Sequence, residues 1–341
     1  MDNSANSKPL EALRGYGDGT LWNRLNELGD FSAGSDFFEF PPPIDLRAPL
    51  GTPPPILYHY TDARGLDGIL KGNSLWASAA YFLNDSSEIE YGCQILLNEL
   101  RTWLEPNREN KCFTAQVLRG INELFGNVGS RLSRSINIYV ACFCEQGNLL
   151  SQWRAYGQGG GYAIGFRSPL DATMRSNGPH TLRLSKVIYD KLRQTERVGT
   201  LLRDAILAVN EAFGDQQVDD LNLLGDTVWM IQELILDEIV RFKHPAFLDE
   251  REWRLVARFD PRTTIGPAEN INEPFFHFRN SNGYMIPYIV LKPTAARLPV
   301  VSIRFGPSMD FRRYENSTRL FLADAGYPQV DLTGSDLPVI L

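Results

Sequence analysis

The sequence predicts an α+β fold: mixed or antiparallel split sheets with flanking helices, plus an inserted helical pair. Strand-like and helix-like stretches follow one another without a regular βαβ repeat, which argues against a doubly wound parallel sheet. Short β-branched and aromatic runs recur along the chain, among them ILYHY at 56–60, INIYVACFC at 136–144, EWRLVARF at 252–259 and YMIPYIVL at 284–291. From Asp190 to Arg241 the period changes to that of helices. Val198, Leu201, Leu202, Ala205 and Ile206 form one stripe there, and Val228, Ile231, Leu234, Ile235 and Ile239 form another.

Taken in order, residues 1–55 read as a peripheral segment with one short helix at 21–28 and proline runs at 41–43 and 53–55, where fixed φ and missing donors favour an extended strap. Residues 56–341 read as a single domain carrying the helical insertion at 190–243. ILYHY is its first strand, Thr61 a cap for a helix from Asp62 to Lys71 with Gly72 after it, and SLWAS at 74–78 the next strand. Asp85 and Glu88 have capping-box spacing for a long helix starting near Ser86, and a second amphipathic helix is expected over Phe113–Phe125. A strand is expected over Ser185–Tyr189. Breaks at Gly214 and Gly225 divide the helical insertion, with Asp226 or Thr227 capping its second half. LPVVSIRFGP at 298–307 supplies a late strand before a helix near Ser308–Ala325.

A net charge of −7, with 43% hydrophobic and 22% charged residues, describes an ordinary globular chain and disfavours a broad basic face for duplex nucleic acid. The N-terminus has neither a basic start nor an apolar core, and no uninterrupted apolar run is long enough to span a bilayer, so a cytoplasmic location without membrane contact is expected. Cys93, Cys112, Cys142 and Cys144 lack zinc-ribbon spacing and read as reduced structural thiols. Four scattered histidines make no metal site, and no metal is expected. P-loop, GxGxxG, HExxH and GxSxG motifs are absent.

Chemistry concentrates in three blocks: LYHYT at 57–61, LLSQWRAYG at 149–157 and KHPAFLDEREWRLV at 243–256. In the second, Ser151, Gln152, Trp153, Arg154 and Tyr156 crowd donors, a fixed cation and two flat rings ahead of Gly157, Gly159, Gly160 and Gly161. That suits the floor of a ligand site, and it equally suits a buried tryptophan closing a turn into a strand at 162–166. In the third, Glu252 begins a strand flanked by Arg251 and Arg254, cations able to keep it ionised or to take a diphosphate, and alternating surface charge is the plainer reading. Gly306-Pro307-Ser308 ends a strand and could offer amides to a phosphate, or be a plain turn.

These blocks, with LND at 83–85, EREWR at 250–254 and a C-terminal GP, resemble a widespread bacterial domain-of-unknown-function family numbered twenty-nine seventy-one, over roughly Ile56–Gly326. LYHYTDARGLDGILKGNSLWAS is also similar to the opening of ADP-ribosyltransferases of the His-Tyr-Glu type, which include bacterial DNA-targeting toxins and RNA phosphotransferases. That second resemblance implies an ADP-ribosyltransferase-like fold and an NAD-consuming enzyme, either a transferase or an NAD glycohydrolase. It implies a ribose-binding His59 with Tyr60 and Thr61 beside it, a catalytic Glu252, and Tyr81 as the pattern's tyrosine. Trp153 or Tyr156 would stack on nicotinamide, Arg154 and Arg254 would face diphosphate, and Ser151 would add a hydrogen bond. The expected partners are the dinucleotide and an acceptor, whether protein, nucleic acid or water. The alternative expectation is a non-catalytic nucleotide-binding sensor or interaction module of a stress or phage-defence system, meeting a partner protein through the helical insertion.

Overall fold

The computed structural model describes residues 51–82, 87–126, 138–157, 161–178, 180–259, 276–281, 283–307 and 309–338. The short helix expected at 21–28, the proline run at 41–43, the LND step at 83–85, Gly159, Gly160 and Ser308 lie outside them. The described chain forms two compact units. One is helical, from residues 87–126 and 188–245. The other holds the sheet and takes 51–82, 138–187 and 246–338.

The sheet unit has, in chain order, β1 (Ile56–Asp62), α1 (Ala63–Gly72), β2 (Leu75–Ala79), β3 (Ile138–Cys144), α4 (Leu150–Tyr156), β4 (Gly161–Arg167), β5 (Met174–Ser176) and β6 (His180–Lys186). It continues through β7 (Glu252–Phe259), β8 (His277–Ser281), β9 (Tyr284–Pro293), β10 (Val300–Phe305), α7 (Phe311–Asp324) and β11 (Asp331–Gly334). The strands run in the order β11-β10-β4-β1-β3-β2-β9-β5, with β7 and β6 on the other edge of β3 and β8 on β9. Only β10 and β11 pair in parallel among the described strands, so the sheet is mixed, as an α+β chain with short connections requires.

The sheet narrows to one residue pair between β1 and β3. Along one edge of β3, β1 pairs with Cys144 through Tyr58, and β2 takes Val140 and Tyr139. His59 fills the gap between them, its Nδ1 2.9 Å from the Cys142 carbonyl. A side chain thus supplies the hydrogen bond that the parting backbones cannot.

Several local expectations are corrected. The cap of α1 is Asp62, whose carboxylate accepts from the Gly65 amide, and the helix ends on Asn73 in the left-handed region at φ 47°. SQWRAY, given no element by its pattern, lies in a short helix. The strand expected over 185–189 is displaced to 180–186, and Ile188 beyond it bridges to Phe242 instead of extending the strand. β5, β8 and β11 were not expected.

The helical unit comprises α2 (Ser87–Leu104), α3 (Phe113–Gly126), α5 (Lys191–Phe213) and α6 (Leu221–Ile239), so the long pair packs with two earlier helices. Gly214 does end α5, but Gly225 lies inside α6, which is capped by Asp220 instead of Asp226 or Thr227. Close approach depends on two glycines. A Cβ on Gly92 would stand 2.8 Å from the Ile239 Cβ, and one on Gly120 2.7 Å from a Val228 methyl. Gly92→Ala is therefore expected to destabilise this unit by about 1–3 kcal/mol, although alanine is the better helix former by ~1 kcal/mol. A urea titration in which Gly92→Ala unfolds later than the parent protein would contradict that packing.

The unit also buries charge. Glu238 receives Arg197 through two bonds, at 2.7 and 2.8 Å, and Arg241 through a third. Nearby, Lys243 pairs with Glu88 at 2.9 Å. Gln194, fully buried, donates to the carbonyls of Ile188 and Lys243 and accepts from the Tyr91 hydroxyl. It fastens together the two points at which the chain enters and leaves the second helical pair.

Candidate functional site

Pleating gathers one set of the sheet unit's polar residues on a single face, because residues paired across antiparallel strands share a side. Cys144 opposes Glu252; Cys142 opposes Arg254, which opposes Ser185; Val140 opposes Val256, which opposes Arg183; Ile138 opposes Arg258, which opposes Thr181. One face of β3, β7 and β6 therefore carries Glu252, three arginines and two small hydroxyls. Tyr58 opposes Cys144, so Tyr58 and Tyr60 lie on it too.

Glu252 is only 4% exposed and Arg254 1%. The Arg254 Nε meets one carboxylate oxygen at 2.8 Å and Nη2 the other at 3.2 Å, a two-bond pair between residues two apart on one strand. Arg251, just before, adopts φ 45°, a left-handed turn that swings the chain into β7. The carbonyl of Arg251 accepts from the Glu145 amide and that of Glu252 from the Val187 amide, fixing where the carboxylate starts. Beside Arg254, the Ser185 hydroxyl is buried and has no hydrogen-bond partner among the described residues.

α4 stands against the other end of this face. It starts on Leu149 without a side-chain cap; the Tyr60 hydroxyl accepts from the Leu149 amide at 2.9 Å and donates to the Gln146 carbonyl at 2.8 Å. Burial is the main cause holding the Tyr60 phenol well above its ordinary pKa, so it stays a neutral donor. Trp153 packs edge-on against Tyr60 at 4.7 Å, and its indole N–H donates to Asn148, which also binds Ser335 and Asp336. Gly157 and Gly306 press on the Trp153 ring, where an added Cβ would come within 3.2 Å. Trp153 is thus a packing residue, while Ser151, Arg154 and Tyr156 line the exposed side of α4, Tyr156 at 39%.

The structure thus brings Tyr60, Trp153, Glu252 and Arg254 to one face. It does not bring His59 there: Tyr60 precedes α4 on that face, and His59, one residue earlier, points to the opposite side with Ile164 and Phe143. Thr61 shares the side of His59 and packs on Gly65. Tyr81 occupies a short 3-10 turn after β2, edge-on to Phe82 at 5.7 Å. Sequence reasoning missed Ser185, Arg183 and Arg258, although the alternation in HTLRLSK and EWRLVAR marks each of them.

On the opposite face, Glu145 accepts from Lys186 at 2.6 Å and from the Trp253 indole at 2.9 Å. Partial burial works to raise its pKa, but these two bonds and the neighbouring cations bring it below the ordinary carboxylate value. Burial lowers the pKa of His59 against the opposing pull of the Cys142 carbonyl, and lowers that of His180 to about 4. A histidine with a depressed folded value supports the fold fully above its unfolded value near 6.5 and loses that support as pH falls towards the folded one. Stability should therefore decline between about pH 7 and pH 4, with His180 accounting for on the order of 3 kcal/mol. Urea midpoints across that range should fall less steeply for His180→Gln; equal slopes would sink the assignment.

Fold and site together define a mixed α+β protein with a buried arginine–carboxylate pair on one sheet face. A family model described as "Protein of unknown function (DUF2971)" matches residues 152–255, a span that runs from α4 through the long helical pair to β7. No curated protein and no solved structure matches the chain.

Proposed function

We propose that this sheet face binds an NAD-type dinucleotide and that the protein breaks its nicotinamide–ribose bond, as an ADP-ribosyltransferase or an NAD glycohydrolase. The observation that carries the reading is the Glu252 carboxylate, buried at a strand start and paired through two bonds with Arg254 on the face shared with Tyr60. When the C1′–N1 bond breaks, its electron pair leaves with nicotinamide and positive charge grows on the ribose. A fixed carboxylate near the ribose hydroxyls stabilises that state, and a hydroxyl or water then bonds to C1′ and releases its proton to solvent. Arg154, exposed on α4, would meet diphosphate, Tyr156 would offer the accessible ring, and Ser151 would add a hydrogen bond. His59 has no part in this ligand set, because it faces the other way.

A second reading, a nucleotide sensor without turnover, is favoured by one observation: both Glu252 oxygens are already engaged by Arg254. Incubation of the purified protein with NAD, followed by chromatography for free nicotinamide, tests the first reading. Heat on titrating NAD with no nicotinamide after hours would establish the second, and neither heat nor product would remove both.

A further inference from the structure

The edge of the sheet beyond the arginine–carboxylate pair has its own pattern. β9 is flanked by β2 on one side and by β8 and then β5 on the other. Tyr284, Ile286, Tyr288, Val290 and Lys292 of β9 share the face already described, since Tyr288 opposes Ser78, which opposes Val140. On that face Arg279 opposes Ile286, His277 and Ser78 oppose Tyr288, Trp76 opposes Val290, and Arg175 opposes Lys292.

Three features converge. The Trp76 ring stacks on Tyr288 with centroids 4.3 Å apart and 25° between planes, and His277 follows on Tyr288 at 5.6 Å, yet Trp76 remains 51% exposed and Tyr284 73%. None of the residues of β2, β5, β8 and β9 is Asp or Glu, although the whole chain carries −7. Arg175 and Lys292, both exposed, stand directly opposite each other and bring two cations to the stripe.

We infer that this stripe binds single-stranded nucleic acid, with bases stacking on Trp76 and Tyr284 and phosphates lying along Arg175, Lys292 and Arg279. Along β9 from Lys292 to Tyr284 the stripe is about 27 Å long, the reach of a few nucleotides. Stacking needs open base faces, which a duplex hides, so single strands are the occupant that rings and cations together recognise. The Arg279 guanidinium is steadied by the Ser78 hydroxyl at 3.1 Å, which aims it along the face. This inference goes beyond the dinucleotide reading and stands without it.

Fluorescence anisotropy with a labelled oligothymidylate of about twelve nucleotides tests it on the full chain. Binding tighter than about 50 µM is expected at about 50 mM salt, weakening as salt rises. Trp76→Ala should weaken it roughly tenfold, as should Tyr284→Ala, and Lys292→Glu should weaken it while flattening the salt dependence. These positions are exposed, so circular dichroism should be unchanged. Excess NAD should not displace the oligonucleotide from the parent protein, which separates this site from the dinucleotide reading. Binding that is equally tight to a duplex, or indifferent to Trp76→Ala, would overturn stacking. No binding at all would give the face to a protein partner and overturn the inference.

Discussion

Glu238→Ala should destabilise the helical unit by about 3–5 kcal/mol. The carboxylate is buried between Arg197 and Arg241, and its removal takes a buried counter-charge away from both guanidinium groups. The loss should appear as faster amide exchange along α5 and α6, and as an earlier urea transition of helical signal. An apolar exchange of the whole cluster, Arg197→Met with Glu238→Leu and Arg241→Met, should recover most of the loss, because desolvating the ions offsets much of their attraction. A change below about 0.5 kcal/mol for Glu238→Ala would mean that solvent reaches the cluster.

That cluster shows where the sequence was readable and where it was not. The stripes of α5 and α6 were plain from spacing, yet nothing in spacing marks Glu238 as the partner of Arg197, since the pair is closed by helix packing across 41 residues. β1, β7 and β10 were legible because their apolar residues alternate or run together between turn signals. α4 was not, for it has seven residues and no capping side chain; a tyrosine hydroxyl from β1 does that work instead. Cap positions were misread by a residue or more wherever an aspartate stood close to the expected cap, as Asp62 does beside Thr61.

The site divides in the same way. Glu252 and Arg254 were named from the EREWR block, and their common face follows from two-residue periodicity. Their neighbours Ser185 and Cys142 come from strands about seventy and one hundred and ten residues earlier, placed by the register of β6 and β3 on β7. The side taken by His59 depends on the same register, and on the gap at β3 that its ring fills.

The sharpest test of the proposed chemistry is Glu252→Gln, which is expected to lower nicotinamide release by about a hundredfold or more, because an amide cannot stabilise charge on the ribose as a carboxylate does. The same change should cost about 3–5 kcal/mol of stability, since it takes a charged partner bound through two hydrogen bonds away from the buried Arg254. Lost activity alone would therefore be ambiguous. The double variant Glu252→Gln with Arg254→Met separates the two effects: replacing the buried cation as well should restore most of the stability, while turnover should stay at the level of the single variant. Equal recovery of both would make the pair a structural tie and Glu252 no catalyst. A stable, inactive double variant that still binds NAD would leave the carboxylate as the group that carries the reaction.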